Sequence, residues 1–137
     1  DMDGVENGVQ GLIGSTGFGT DIDSDGSLLV IGSPVENKAY IYQHNGGVWT
    51  QVDTDQDSSN GVTPLSGVGG FGTSVAIQGN RVVVGEPYAD VGYNTNGSDT
   101  DFVNLFTPGD AVVYQLAVNA NGSITGVDLE RRLMPSN

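Results

Sequence analysis

Short apolar runs, each closed by a turn signal, dominate the pattern along this chain. Leu28-Leu29-Val30-Ile31-Gly32 is apolar throughout and is ended by Pro34. Lys38 to Gln43 alternates aromatic and aliphatic residues, Val48 to Val52 follows it, and Phe18 to Asp23 precedes both. Runs this short, continuous or with a period of two, predict strands. Asp25-Gly26 and Asn45-Gly46-Gly47 separate them and are hairpin signals, because these residues accept the positive φ that tight turns require. The second half repeats the order, with strands predicted over Phe71 to Ile77, Arg81 to Gly85, Asp110 to Val118 and Ile124 to Leu133. Its turns are Gly79-Asn80 and Asn121-Gly122, and no stretch has helical periodicity.

The two halves are copies. Gly14 to Thr20 reads GSTGFGT and Gly67 to Thr73 reads GVGGFGT, an offset of 67 − 14 = 53. The same offset takes Asn7-Gly8-Val9 to Asn60-Gly61-Val62, Leu12 to Leu65, and Gly32-Ser33-Pro34 to Gly85-Glu86-Pro87. Ala39-Tyr40-Ile41-Tyr42-Gln43 matches Ala111-Val112-Val113-Tyr114-Gln115 at an offset of 111 − 39 = 72, so the second copy carries 72 − 53 = 19 extra residues between Pro87 and Ala111. Ser59-Asn60 opens the second copy and Ser136-Asn137 sits at an offset of 136 − 59 = 77, like the start of a third. We read two units, 1–59 and 60–137, with a loop insertion at 88–109 in the second. They are either two repeats of a longer array or a subunit that completes itself by oligomerising. Each copy is an antiparallel meander of four strands. The second strand of each is apolar on both faces, which asks for a sheet held between two neighbouring sheets. Four-stranded sheets stacked around an axis make a β-propeller. An eight-stranded β-sandwich is the rival, and it needs no such repeat.

Phe18-Gly19 with Gly32-Ser33-Pro34, and Phe71-Gly72 with Gly85-Glu86-Pro87, resemble the FG-GAP repeat of integrin-α-like β-propellers. The resemblance covers essentially the whole chain as two repeats. It implies an all-β fold of two four-stranded antiparallel propeller blades, a fragment or oligomerising part of a propeller. It also implies an extracellular setting, adhesion or ligand binding, further blades in the same or other chains, and in many members Ca²⁺ held between the first two strands of a blade.

Composition narrows the setting. With 22 glycines and only 15% charged residues, the chain is rich in turn formers and poor in helix-stabilising pairs. Seventeen acids against four bases give a net charge of −13. That surface repels nucleic acid and anionic lipid, and it suits cations, high salt or simple solubility. There is no cysteine, so no disulfide framework exists. No apolar run approaches the ~20 residues a spanning helix needs, so membrane insertion is not expected. The chain opens at Asp1 without a signal-peptide pattern, as a mature fragment or a cytosolic chain would. Its acidic Gly/Asn/Asp/Ser/Thr-rich character favours a secreted or surface protein of a bacterium.

Two places carry candidate chemistry. Asp21-Ile22-Asp23-Ser24-Asp25-Gly26 fits the opening of a calcium loop, with Asp21, Asp23 and Asp25 as metal ligands. The further Asp of integrin-like loops is Leu29 here, and the second copy has Ser74, Ala76 and Gln78 at the aligned places. The competing reading makes Asp25-Gly26 a plain hairpin turn and sets the three carboxylates along one face of a strand too extended to chelate. The residues favour the hairpin. The insertion supplies ligand-binding candidates, namely Tyr88, Asp90, Tyr93, Asp99, Asp101 and Phe102, where aromatics beside carboxylates suit a carbohydrate, a peptide or a cation. The competing reading folds Phe102, Leu105 and Phe106 back as a cap. His44, the only histidine, reads as an exposed turn residue, Trp49 as outer-strand packing, and Arg131-Arg132 as a solvated strand end.

These residues predict a non-catalytic extracellular binding or adhesion module, Ca²⁺-dependent if the aspartate loop binds, with a protein or carbohydrate ligand. The alternatives are the propeller part of a secreted polysaccharide-active enzyme, or a structural subunit that assembles into a ring or fibre.

Overall fold

The computed structural model describes residues 15–57, 59, 61–88 and 109–135. Among them the chain is all-β, with no helix. Its strands are β1 (Ile22–Asp25), β2 (Leu28–Ser33), β3 (Lys38–Asn45), β4 (Val48–Gln51), β5 (Leu65–Ser66), β6 (Ser74–Gln78), β7 (Arg81–Glu86), β8 (Asp110–Val118) and β9 (Ile124–Leu133). They form two antiparallel sheets, each a four-stranded meander: β1-β2-β3-β4 and β6-β7-β8-β9. The short β5 pairs with β3 beyond the end of β4.

The first three strands of the two meanders share one register. Ile22 pairs with Ile31 as Val75 pairs with Val84, both partners displaced by 53. Ser33 pairs with Lys38 as Glu86 pairs with Asp110, displaced by 86 − 33 = 53 and 110 − 38 = 72. The 19 extra residues of the second copy therefore lie wholly between β7 and β8. A strand's side chains alternate between faces, so a shared register sends equivalent residues to equivalent faces.

Where the copies differ is the outer strand. β9 runs as one strand beside β8, with irregularities between Val113 and Tyr114 and between Ala117 and Val118. In the first sheet β4 stops at Gln51, a loop leaves, and the chain returns as β5 to pair Leu65 with Ala39. Asp53 closes that loop by accepting from the Thr63 N–H at 3.0 Å and the Thr63 hydroxyl at 2.7 Å. No hydrophobic period marks a two-residue strand, which is why β5 is not legible in the pattern.

The predicted first strands begin later than their sequences suggest. Phe18 to Thr20 and Phe71 to Thr73 are turns, closed by Thr20 N–H to Gly17 O and Thr73 N–H to Gly70 O, each 2.9 Å. Gly17 and Gly19 hold φ of 77° and 94°, and Gly70 and Gly72 hold 80° and 99°, values that break a strand.

The core lies between the sheets. Leu28, Val30, Ala39 and Ile41 of the first meet Val75, Val82, Val84 and Val112 of the second. Phe71, fully buried, fills the end of this layer edge-on to Tyr114, with ring centroids 6.3 Å apart. β2 is buried on nearly all of both faces, as predicted, whereas β7 alternates, with Val82 and Val84 buried and Val83 half-buried.

Candidate functional site

The Asp-x-Asp-x-Asp segment lies where the sheets meet. Its three carboxylates project from the first sheet onto the edge of β6. The Val75 N–H donates to Asp21 Oδ2 at 2.8 Å, the Ile77 N–H to Asp23 Oδ2 at 2.8 Å, and the Gly79 N–H to Asp25 Oδ2 at 2.6 Å. Those amides point away from β7, so without the aspartates an edge strand would present a row of unmade donors. The triplet thus stands in for a neighbouring strand, with side-chain oxygens in place of carbonyls. Alternate residues of an extended strand lie about 7 Å apart, which spreads the carboxylates along the joint instead of closing them around one ion. Among the described residues no group of three or more histidine, aspartate or glutamate side chains is arranged to hold a metal. β1 and β2 are joined by a hairpin whose two turn residues are Gly26-Ser27, one place later than Asp25-Gly26, with Asp25 itself paired to Leu28.

Two further contacts seat the second sheet. Gly32 and Gly72 touch backbone to backbone, so that a Cβ on either would overlap the other segment. Asn37, in the turn between β2 and β3, accepts at Oδ1 from the Gly70 N–H at 2.7 Å and the Phe71 N–H at 3.2 Å. Asn37 itself has φ of 59°, a conformation asparagine tolerates better than most residues. Gly72 of the second Phe-Gly turn and Gly32 of the first Gly-x-Pro are therefore explained by one close approach.

A groove of about 520 Å³ runs along this joint, lined by Asp23, Ser24 and Asp25 on one bank and by Gln78, Arg81 and Val83 on the other. Arg81 is held by Glu130 through its Nε at 2.9 Å.

The neck of the insertion is the second feature. Glu86 ends β7, Asp110 begins β8, and the two are paired across the sheet. Arg132 of β9 reaches both: its Nη1 donates to Glu86 Oε1 and, at 3.0 Å, to Asp110 Oδ2. Glu86 is fully buried and its Oε2 accepts the Val68 N–H at 2.9 Å. Burial pushes the Glu86 carboxyl above the usual range and the Asp110 carboxyl beside it adds to that, while the Val68 N–H and Arg132 pull it back. The same burial, with the Glu86 charge, raises the Tyr114 hydroxyl to about 12. Arg132 thus lies at the exposed end of β9, as expected, but its guanidinium also pairs with two buried acids at the root of the loop. The signal was present in the repeat: Ser33 and Lys38 of the first copy become Glu86 and Asp110 exactly where the insertion enters. In the first copy Ser33 instead donates to Thr16 O and Glu36.

Of the ligand candidates, Tyr88 stands at the root of the insertion and is 75% exposed, with its N–H on Gly69 O at 2.8 Å and its ring over Gly70. Asp90, Tyr93, Asp99, Asp101 and Phe102 lie outside the described residues. His44 is exposed and rests against Trp49, ring centroids 4.8 Å apart. Among the described residues no helix is long and apolar enough to cross a membrane.

Compared with family models, with curated proteins and with solved structures, the chain has no match.

Proposed function

We propose that the chain is a non-catalytic extracellular binding or adhesion module, its two sheets being consecutive blades of an FG-GAP-like β-propeller, with the insertion as the ligand-contacting element. The observation that carries this reading is the common register of the first three strands of each meander, interrupted by 19 residues placed at one inter-strand turn. A β-sandwich typically shuttles strands between its sheets, whereas here the five strands of the first sheet, β1 to β5, all precede the four of the second. Long loops held on a rigid scaffold are the usual place for recognition. The ion cluster at the neck and the exposed Tyr88 ring are what such a loop needs at its root. The acid pair, Glu86 with Asp110, is buried beneath Arg132 and is not offered to a substrate, which favours binding over hydrolysis.

The test is a screen of polysaccharides and peptides for saturable binding, read together with product release. Binding without turnover, abolished by deleting residues 91–104 while the melting transition persists, supports the module. Turnover of a polysaccharide would move the chain to the enzyme reading, and collapse of the deletion variant would make the loop a cap.

A further inference from the structure

The joint between the two sheets defines what a neighbouring sheet must offer, and the first sheet has an open edge built to the same pattern. The three amides that meet the aspartates sit at Val75, Ile77 and Gly79. Subtracting the repeat offset of 53 places their equivalents at Ile22, Ser24 and Gly26. Among the described residues β1 pairs on one side only, with β2, and in the same register as β6 with β7. The Ile22 and Ser24 N–H groups therefore point away from the sheet, as those of Val75 and Ile77 do.

The apolar residues around this edge tell the same story. Phe71 is fully buried in the joint and Val75 is 8% exposed, while their equivalents Phe18 and Ile22 are 49% and 55% exposed. Phe18 lies edge-on to Tyr40, with ring centroids 5.1 Å apart, and its N–H turns to Thr16 Oγ1 at 3.2 Å where that of Phe71 is held by Asn37. The first sheet thus exposes, feature for feature, what the second sheet buries.

We propose that the β1 edge, with Phe18 and Ile22, is a docking surface for a β-sheet unit that presents carboxylates at alternate positions of its own first strand, as Asp21, Asp23 and Asp25 present theirs to β6. This rests on the blade reading above for the idea that such units stack, but not on the ligand assigned to the insertion. The partner is recognised by hydrogen-bond and charge complementarity. Outward amides carry partial positive charge, and three oxygens spaced two residues apart match them. A plain second copy meets only part of this requirement: its outer face keeps Gly85 in the place of Gly32, yet carries Ser74, Ala76 and Gln78 where the carboxylates belong. The contact is heterologous, so matched units extend head to tail into a ring or a filament.

The triplet can be supplied on the chain itself. Ser74, Ala76 and Gln78 are exposed, so Ser74→Asp, Ala76→Asp and Gln78→Asp together leave the core untouched. Sedimentation of this full-length variant over a range of concentrations, in about 0.15 M salt to screen the added charge, should show self-association at least about tenfold tighter than that of the unchanged chain. Adding Ser24→Pro should reverse it. Proline there removes an amide that points away from the ladder, a position proline tolerates on an edge strand. The melting temperature of Ser24→Pro alone checks that the fold is kept. The corresponding Asn triple variant keeps the acceptor oxygens without charge, and it replaces the Asp variant if that one fails to fold. Association no tighter than in the unchanged chain, or association that survives Ser24→Pro, would overturn the proposal. Ligand binding by the insertion is measured separately, so either reading can fail alone.

Discussion

Glu86 shows how much one position can carry. Glycine on one side and proline on the other mark it as part of the repeat, and its copy-one counterpart is Ser33. As a buried glutamate it needs the Val68 N–H and the Arg132 guanidinium to be tolerated at all. Its folded-state pKa lies above the unfolded value. The proton is held more tightly when folded, so the stability linked to this group is present below the ordinary glutamate pKa and is lost as pH rises through the folded value. We predict that the stability difference between the unchanged chain and Glu86→Gln is larger at about pH 4 than at about pH 7, as read by denaturant unfolding at each pH. Asp53 has the opposite sign. The Thr63 N–H and hydroxyl and the Asp55 N–H hold its carboxyl below the usual range. Its contribution is present above the ordinary aspartate pKa and falls away as pH drops through the folded value, so Asp53→Ala should cost more stability at about pH 7 than at about pH 2.

At the scale of elements, β1 and β6 are joined without a single backbone-to-backbone ladder. The carboxylates of one strand satisfy the amides of the other. An oxygen acceptor is what this joint requires, so Asp23→Asn should retain most of the stability that Asp23→Ala loses, a loss of about 1–2 kcal/mol for one amide left unmade. Thermal melts with and without Ca²⁺ separate the two roles considered for the triplet. A fastener predicts melting indifferent to Ca²⁺ in the unchanged chain, and a Ca²⁺-dependent rise lost in Asp23→Asn would restore the calcium loop. The Gly32–Gly72 approach makes a second prediction. Gly32→Ala puts a methyl group into the Gly72 backbone and should be severely destabilising, whereas Gly126→Ala, on β9 with open space around it, should be close to neutral.

For the whole molecule, the balance of 17 acids and 4 bases sets the behaviour. Like charges crowd a small surface, and three of these acids, the triplet at the sheet joint, lie along one seam. Screening is weak at about 0.01 M salt and strong at about 0.15 M. The melting temperature should therefore rise between these conditions, whichever monovalent salt is used. A melting temperature independent of salt would mean that the acids are locally compensated, as Asp110 is by Arg132.

Much of the fold is legible in the residues. Eight of the nine strands among the described residues, their hairpin turns and the position of the insertion follow from apolar runs, Asp-Gly and Asn-Gly pairs and the two offsets. Those signals act over a few residues, because tight-turn chemistry and the two-residue alternation of a strand are local properties. The candidate site was legible only as residue types. Asp21, Asp23 and Asp25 could be placed on one face of a strand, but their partners lie 54 residues further on. Arg132 read as a solvated end because its acids are 46 and 22 residues away. β5 is two residues long and gains its strand character from β3 alone. The sequence by itself determined the elements, their repetition and their turns. Which oxygens meet which amides, and which charges are buried together, depended on how one sheet stacks on the next, and only the tertiary structure decided that.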